Sequence, residues 1–437
     1  MKVFRGEILH FLADPAKSLS AEAPSNGLEQ CYQYFADGLL VVNNGLIERV
    51  GEATTLLATL QAGVEVTHYP NGLMVPGFID THIHYPQTEM IASYGEQLLQ
   101  WLENYTYPTE RQFKDQAYAR EAAEFFIDQL MDAGTTTALV FGTVHKTSVD
   151  AFFTVAEAKK LRMICGKVLM DQNCPDDLQD TAQTGYDDSK ALIEKWHGKD
   201  RLQYAVTPRF APTCSRAQLD KAGELLKQYP DVYMHTHLAE NKQEIAWVDE
   251  LFPDSKDYLD VYDRSGLLGR RSVFAHGVHL HDDQCQRLAE TESAIAFCPT
   301  SNLFLGSGLF NLKQAESFDV NVGLGTDVGA GTSFSILKSL NEAYKTQQLR
   351  GEKLTPFKSF YLATLGGAVA LDLDDKIGNF LPGKEADFIV IDYSATPLME
   401  KRIGHCKTLA EKLFVLSMLG DERHVSVTHI LGEAVTD

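Results

Sequence analysis

Long apolar runs are absent from this sequence, and cysteine is scarce. No stretch approaches the roughly 20 consecutive apolar residues that a membrane span requires. We do not expect the N-terminal segment to act as a signal peptide, because Arg5, Glu7 and Asp14 interrupt its apolar pattern. The seven cysteines are an odd and scattered set, which gives no disulfide framework. We therefore expect a cytoplasmic protein that does not bind membranes.

Basic residues are few in relation to acidic ones. The chain has 39 Lys and Arg against 60 Asp and Glu, for a formal net charge of −21. Phosphate backbones and anionic lipid surfaces attract clustered positive charge, so we do not expect nucleic-acid binding. Hydrophobic residues form 44% and charged residues 23% of the 437 residues, which is ordinary for a globular protein with a sizeable core.

Eight β-rich runs alternate with amphipathic helical patterns between residues 73 and 377. The runs are "VPGFIDTHIH", "TTTALVFGT", "RMICGKVLMD", "QYAVTPRFAP", "DVYMHTHLAE", "SVFAHGVHL", "AIAFCPTSN" and "NVGLGTDVG". Repeated β-then-α units predict parallel strands with right-handed crossovers, and eight of them favour a TIM-like (β/α)₈ barrel. A doubly wound dinucleotide-binding fold is disfavoured, since no GxGxxG follows a strand, and there is no P-loop.

The two ends of the chain differ from the middle in their pattern of apolar and turn-forming residues. Residues 1–72 and 378–437 contain short β-like runs with Gly and Pro between them, such as "LLVVNNGLIERVG" and "HVSVTHILGEAVTD". Such runs are typical of a small antiparallel sheet. We expect both termini to form one small β-sandwich side domain, with the barrel of residues 73–377 inserted between them.

Several of the predicted strands end in side chains that can carry chemistry. In strand order these residues are His82, His84, Arg209, Phe210, His237, Glu240, His276 and Asp327. A barrel brings the C-terminal ends of its strands to one face, so these side chains are expected to converge. His82 and His84 point to the same side, because side chains alternate along a strand.

Three histidines and a carboxylate suit one divalent cation, Zn²⁺ or Fe²⁺, with a position left open for water. Any single histidine is more often a hydrogen-bonded core or surface residue, but this ordered set would require four coincidences. His235 is predicted to be structural or to support a ligand, and His279 and His281 to be loop or cap residues. Cys298 is interpreted as a small buried apolar residue instead of a nucleophile.

The stretches "PGFIDTHIH", "HTHLAE", "FAHG" and "GLGTDVGAG" resemble the amidohydrolase superfamily, in its mononuclear deaminase branch. The dinuclear branch commonly has a carboxylated lysine at the end of strand four, where this chain has Arg209, and Lys167 lies within a strand. The stretches "DTHIHYPQ", "QWLENYTYPTE", "TPRFAPTCS" and "CPTSNLFLGSG" are together similar to the guanine deaminases of this superfamily, and the likeness spans nearly the whole chain.

That resemblance implies hydrolytic deamination of guanine to xanthine and ammonia, in purine catabolism or salvage, by hydroxide from metal-activated water. It implies one zinc ion per chain, with Fe²⁺ as the alternative, and a homodimer. The implied metal ligands are His82, His84, His237 and Asp327. The implied catalytic groups are Glu240, Asp327 and His276. The implied substrate-binding residues are Gln87, Arg209 and Phe210, beside His84 and His237.

Two other functions stay open on the sequence. One is a mononuclear deaminase that acts on another aminopurine, on cytosine or on an aminotriazine. The other is a metal-stabilised assembly scaffold, which would not need to keep Glu240, His276 and Asp327. Gln87 and Arg209 favour guanine, because a guanidinium fork matches the acceptors O6 and N7, and an amide can read a ring edge.

Overall fold

The computed structural model describes residues 1–16, 27–61, 63–94 and 97–435. Within these ranges there are sixteen β-strands: β1 Lys2–Phe11, β2 Tyr32–Asn43, β3 Leu46–Glu52, β4 Val66–Pro76, β5 Phe78–His84, β6 Thr135–Phe141, β7 Arg162–Gly166, β8 Val168–Leu169, β9 Gln203–Pro208, β10 Tyr233–Leu238, β11 Ser272–His276, β12 Ala294–Phe297, β13 Asn321–Leu324, β14 Phe388–Asp392, β15 Val425–Ile430 and β16 Glu433–Ala434.

The same described ranges contain seventeen α-helices: α1 Ala53–Leu57, α2 Leu98–Trp101, α3 Tyr107–Glu110, α4 Gln116–Asp132, α5 Lys146–Ala158, α6 Ala182–Trp196, α7 Arg216–Gln228, α8 Lys242–Leu251, α9 Tyr258–Asp263, α10 Asp282–Glu290, α11 Pro299–Phe304, α12 Leu312–Ser317, α13 Ile336–Leu349, α14 Pro356–Ala363, α15 Leu365–Ala370, α16 Pro397–Ile403 and α17 Leu409–Leu419. A π-helical turn, Leu102–Thr106, joins α2 to α3. Short 3₁₀ turns lie at Leu28–Gln30, Tyr85–Met90, Arg111–Lys114, Asp176–Leu178, Ala211–Thr213 and Glu422–His424.

The middle of the chain forms a nearly closed parallel barrel. The strand order is β5, β6, β7, β9, β10, β11, β12, β13, and the short β8 also pairs with β9. Each of the eight predicted runs supplies one of the eight barrel strands in this order, and "RMICGKVLMD" also supplies β8, so the TIM-like barrel is confirmed. At the seam between β5 and β13, the Thr81 hydroxyl donates to the Leu324 carbonyl (2.9 Å), and the Asp327 N–H donates to the His82 carbonyl (2.9 Å).

The barrel interior below the site is filled by apolar side chains from successive strands. They are Ile79, Leu139, Ile164, Ala205, Tyr233, Val273, Ala294 and Ala296. Cys298 belongs to the same cluster and is fully buried, as predicted for a small apolar residue. This layer gives the strand ends above it a rigid base, because close-packed interiors resist displacement.

The outer helices follow from capping and apolar spacing. Asp115 caps α4, where its carboxylate accepts a hydrogen bond from the Tyr118 N–H (2.9 Å). Buried residues then recur along one face of that helix, at Ala119, Ala123, Phe126, Ile127 and Leu130. Spacings of three and four residues place them in one stripe, which packs toward the barrel.

The side domain is a seven-stranded sheet built from both termini, in the order β16, β15, β14, β4, β1, β2, β3. The prediction that the termini come together is confirmed. The expected antiparallel pairing is wrong at one place, since β1 and β4 are parallel; their connection runs through β2, β3 and α1, which lets β4 return in the same direction. The domain boundaries at 72/73 and 377/378 stay predictions.

Buried ion pairs hold the side domain against the barrel. The Arg162 guanidinium donates to Glu385 (Nε to Oε2, 2.8 Å), and Arg201 pairs with Asp387. Both arginines lie where barrel strands begin, so these contacts are at the face opposite the strand ends. Among the described residues, no helix has the length and apolarity needed to cross a membrane.

Candidate active site

Four side chains meet at the C-terminal end of the barrel. His82 and His84 end β5, His237 lies in β10, and Asp327 follows β13. The Nε2 atoms of His82 and His84 are 3.2 Å apart, and each is 3.2 Å from Asp327 Oδ1. His237 Nε2 is 3.3 Å from His84 Nε2. The sequence-predicted ligand set therefore converges on one point.

This convergence fits a metal ion. Metal–ligand bonds of about 2.1 Å in a tetrahedral site place neighbouring donor atoms roughly 3.4 Å apart, close to the spacing here. Burial lowers the pKa of His84 to about 3 and that of His237 well below its usual value, so both stay neutral. A neutral imidazole keeps one ring nitrogen with a free lone pair, and this is the form that binds a metal cation.

Asp327 supplies the negative charge of the site. Burial alone would raise its pKa, but interactions with His82 and His84 outweigh burial and hold the pKa of Asp327 well below the usual range. Its backbone φ is +53°, and that of His276 is +74°. Such left-handed conformations are uncommon for residues other than glycine and are found where a fold holds functional groups in place.

His276 lies at the edge of this group. Donor atoms of His82, His237, His276 and Asp327 all lie within 4.8 Å of one another, so His276 is the alternative fourth ligand to His84. We favour His84, because His276 Nε2 is 3.7 Å from Asp327 Oδ2 and 3.5 Å from Glu240 Oε2. His276 therefore lies between two carboxyl groups.

Dinuclear members of the superfamily hold their second metal with a carboxylated lysine. Among the residues that the structure describes around this site, no lysine is placed to do so. β9 is followed by Arg209, and the buried Lys167 is engaged elsewhere. Its Nζ lies 2.5 Å from Asp180 Oδ2 and 3.1 Å from the Val168 carbonyl. This arrangement agrees with a mononuclear site.

Glu240 is buried just beyond the end of β10. Its Oε1 accepts a hydrogen bond from the Ser307 hydroxyl (2.9 Å), and His279 Nε2 lies 2.9 Å from the Ser307 carbonyl. Burial, with the nearby Asp327 carboxylate, raises the pKa of Glu240 to about 8. The side chain is therefore protonated at neutral pH and can donate a proton.

A pocket opens above these groups and contains eight of the nine predicted site residues. They are His84, Gln87, Arg209, Phe210, His237, Glu240, His276 and Asp327. The ninth, His82, lies beneath the pocket and is fully buried. Apolar residues form the outer wall: Leu98, Trp101, Leu102, Leu305 and Ala330. The structure thus brings the whole predicted set together, while the role of each residue stays a prediction.

Arg209 is both ion-paired and exposed to the pocket. Its Nη1 lies 2.8 Å from Glu110 Oε2 and its Nη2 lies 3.0 Å from Glu110 Oε1, in a bidentate pair. Gln87 Nε2 is 3.4 Å from the same carboxylate, and Gln87 Oε1 accepts from the Gly329 N–H (3.3 Å). A Cβ at Gly329 would lie 2.4 Å from the Gln87 carbonyl, so this approach requires glycine.

Sequence reasoning missed three residues that hold the predicted ones. They are Glu110 on Arg209, Ser307 on Glu240, and Asn302, whose Oδ1 is 2.9 Å from His276 Nδ1. All three lie in "QWLENYTYPTE" or "CPTSNLFLGSG", the stretches that carried the resemblance, so a signal was present. His235 contacts His82 (Nε2 to Nδ1, 2.7 Å), as a ligand-supporting residue would. His281 is the N-cap residue of α10.

Comparison with known proteins agrees with this geometry. The model of the amidohydrolase family matches residues 73–435. Guanine deaminase of Escherichia coli (strain K12) is 56% identical over 403 residues, which are 92% of this chain and 92% of that protein.

Solved structures give the same grouping. The structure of E. coli guanine deaminase has a TM-score of 0.95 and 53% identity, covering 100% of both chains. That of guanine deaminase from C. acetobutylicum, with guanine bound in its active site, has a TM-score of 0.87 and 29% identity, again covering 100% of both chains. The chain belongs to the amidohydrolase family and, within it, groups with the guanine deaminases.

Proposed function

We propose that this protein hydrolyses guanine to xanthine and ammonia with one zinc ion, held by His82, His84, His237 and Asp327. The observation that carries the proposal is one buried pocket in which a protonated carboxyl group and a metal-binding group face a guanidinium and an amide. A cation at this site would lower the pKa of a water molecule toward about 7, so that hydroxide is available at neutral pH.

Asp327 and His276 handle the attacking water. Asp327 is ionised, because its pKa lies well below the usual range, so it can accept a proton from that water. His276 Nε2 has no hydrogen-bond partner among the described groups and lies within 3.7 Å of both catalytic carboxyls. It is placed to hold the water by a hydrogen bond while the oxygen bonds to C2 of the purine.

Glu240 supplies protons to the purine. Attack at C2 interrupts the aromatic ring, so N3 must gain a proton as the tetrahedral centre forms. Glu240 is protonated at neutral pH and is placed on the pocket wall to deliver it. The ionised Glu240 then regains the proton that Asp327 took from the water and passes it to the 2-amino group, so that the C2–N bond breaks and ammonia leaves. The remaining hydroxyl proton is lost as the C2 carbonyl forms and returns to Glu240, which restores its acid form.

The pocket wall accounts for selection of guanine. Glu110 accepts one N–H from each Nη atom of Arg209, so the remaining N–H groups of the guanidinium, among them Nε–H, are the donors for O6 and N7, and the Gln87 amide can both donate and accept. Phe210 gives an apolar face for the ring. Adenine lacks O6 and would place an amine against Arg209, which leaves a buried donor unmatched.

Removing the arginine tests this assignment. Arg209→Ala alone would strand the buried Glu110 charge and destabilise the fold by about 3–5 kcal/mol. The charge-neutral double variant Arg209→Gln/Glu110→Gln avoids that cost. We expect kcat/KM for guanine to fall roughly 10²- to 10⁴-fold, as for the loss of two hydrogen bonds to a charged group.

The same double variant should keep one metal ion per chain, measured by elemental analysis. Turnover and metal content are to be compared with Arg264→Gln, a matched change at an exposed arginine. Loss of metal from the double variant, or unchanged guanine turnover, would show that Arg209 does not read the base.

The activity should fall as pH rises through about 8. Glu240 has its pKa raised to about 8, so the acid form that donates to N3 dominates below that pH and is lost above it. A profile of kcat/KM against pH, corrected for ionisation of guanine itself, measures this limb. A rate that continues to rise above pH 8 is incompatible with Glu240 as the proton donor.

The alternatives are separated by a panel of substrates. Ammonia release is to be followed from guanine, adenine, cytosine and an aminotriazine, with metal content measured in parallel. Preference for another ring would favour a different mononuclear deaminase, and no turnover of any of them would favour a scaffold.

We also propose a homodimer, which sedimentation would detect as twice the mass of one chain. A role in purine catabolism or salvage, and the cytoplasmic location, stay predictions.

A further inference from the structure

A buried glutamate sits where the proposed reaction needs no carboxylate. Glu110, the last residue of α3, is 1% exposed, and Arg209 is 2% exposed. Glu110 donates no proton to the reacting atoms in the proposed deamination of guanine. Its carboxylate instead engages both terminal nitrogens of the guanidinium, while Arg209 Nε makes none of these contacts. The wall that reads the base therefore carries two opposite charges with a sum of zero.

Two carboxyl groups on the same pocket wall titrate near neutral pH, because burial raises the pKa of Glu240 to about 8 and that of Glu244 to about 7. The titratable groups that interact directly with Arg209 or Glu110 are Tyr107, Cys174 and His84. Burial raises the pKa of Tyr107 to about 12 and that of Cys174 to about 11, and burial lowers the pKa of His84 to about 3. All three are neutral near neutral pH. Glu110 is thus the carboxylate in contact with the arginine charge.

Substrate and product differ in acidity. Guanine is neutral near neutral pH, whereas xanthine has a 2-oxo group in place of the amine and loses a proton in that range. A buried guanidinium without a counter-charge attracts an anion strongly, because the surroundings screen the interaction poorly. An uncompensated arginine in this wall would therefore favour the ionised product over the neutral substrate.

We propose that Glu110 is the counter-ion of the base-reading arginine, which fixes the orientation of Arg209 and cancels its charge, so that the pocket accepts neutral guanine and releases ionised xanthine. This inference rests on the proposed function. Glu110 acts through Arg209 and is a positioning residue. The contact of the same carboxylate with Gln87 Nε2 (3.4 Å) adds orientation of the second purine reader.

The test is direct binding of xanthine to the metal-loaded enzyme by calorimetry, at about pH 6 and about pH 9, on either side of xanthine ionisation. The parent enzyme should bind xanthine no more tightly at the higher pH. Relative to the parent, Glu110→Gln should gain about 10-fold or more in xanthine affinity from the lower to the higher pH, since it keeps the shape of the side chain but removes the charge. Glu240 and Glu244 ionise in both proteins, so their effect cancels in this ratio. Glu110→Asp, which keeps the charge, should behave as the parent does.

The double variant Arg209→Gln/Glu110→Gln is the matched control, because it removes both charges and should lose the pH-dependent tightening. A purely structural role of Glu110 would lower the stability of the variants without changing the pH dependence of xanthine binding, and that result overturns the proposal. Tighter xanthine binding by the parent at the higher pH overturns it as well, even if Glu110→Gln does not fold. Failure of the proposed function shows itself separately, as absence of guanine turnover in the parent.

Discussion

Replacing Glu240 by Gln is expected to reduce guanine turnover by about 10²- to 10⁴-fold, the range that general acid–base groups contribute. Glutamine has nearly the same shape and can still accept the hydrogen bond from the Ser307 hydroxyl. Its amide cannot act as the acid that protonates N3 and then the leaving amine. The loss should therefore appear in kcat, with the pocket and its ligands otherwise in place.

The matched control for this variant is Glu250→Gln, the same chemical change at an exposed residue of α8. Steady-state kinetics and metal analysis of both variants are the measurements. Glu240→Gln should keep one metal per chain, because the metal-binding group does not include Glu240. Near-parent kcat in Glu240→Gln would remove Glu240 from the mechanism.

Asp327→Asn is expected to lose both the metal and the activity. The amide carries no charge and is a poorer ligand than the ionised carboxylate, whose oxygen lies 3.2 Å from the Nε2 atoms of both His82 and His84. The metal affinity should fall by more than about 100-fold, beyond the 10- to 100-fold that residues supporting a ligand contribute. Guanine turnover should fall with it, since Asp327 also takes the proton from water.

Thermal unfolding gives a readout of this loss that does not depend on turnover. Added zinc should raise the melting temperature of the metal-depleted parent, because a ligand that binds only the folded state stabilises it. The same addition should leave Asp327→Asn unchanged, while Asp254→Asn, at an exposed ion pair with Arg264, should respond as the parent does. An equal response of Asp327→Asn to zinc would exclude Asp327 as a ligand.

The barrel and most of its site were predictable from the sequence for a simple geometric reason. Parallel strands that alternate with helices deliver their C-terminal ends to one face, so residues as distant as His82 and Asp327 could be expected to meet. The β-rich runs that predicted the strands also marked where each strand ends. The same rule predicted that Arg209, Glu240 and His276 lie at the site, although their contacts could not be predicted.

The supporting residues lay outside that rule. Glu110 comes from a short helix before α4, and Asn302 and Ser307 come from α11 and the turn after it, so none of them ends a strand. Which carboxylate pairs with Arg209 depends on how that helical segment folds over the pocket, and periodicity carries no such information. The parallel pairing of β1 and β4 was missed for the same reason, since the residue pattern of a strand does not specify which other strand it pairs with.

The most direct test of the central claim is product analysis with guanine. Purified enzyme containing one zinc ion per chain should release ammonia and xanthine in equal amounts, stop when a chelator removes the metal, and recover when one equivalent of zinc is restored. Fully metal-loaded, folded protein that releases no ammonia from guanine would contradict the account.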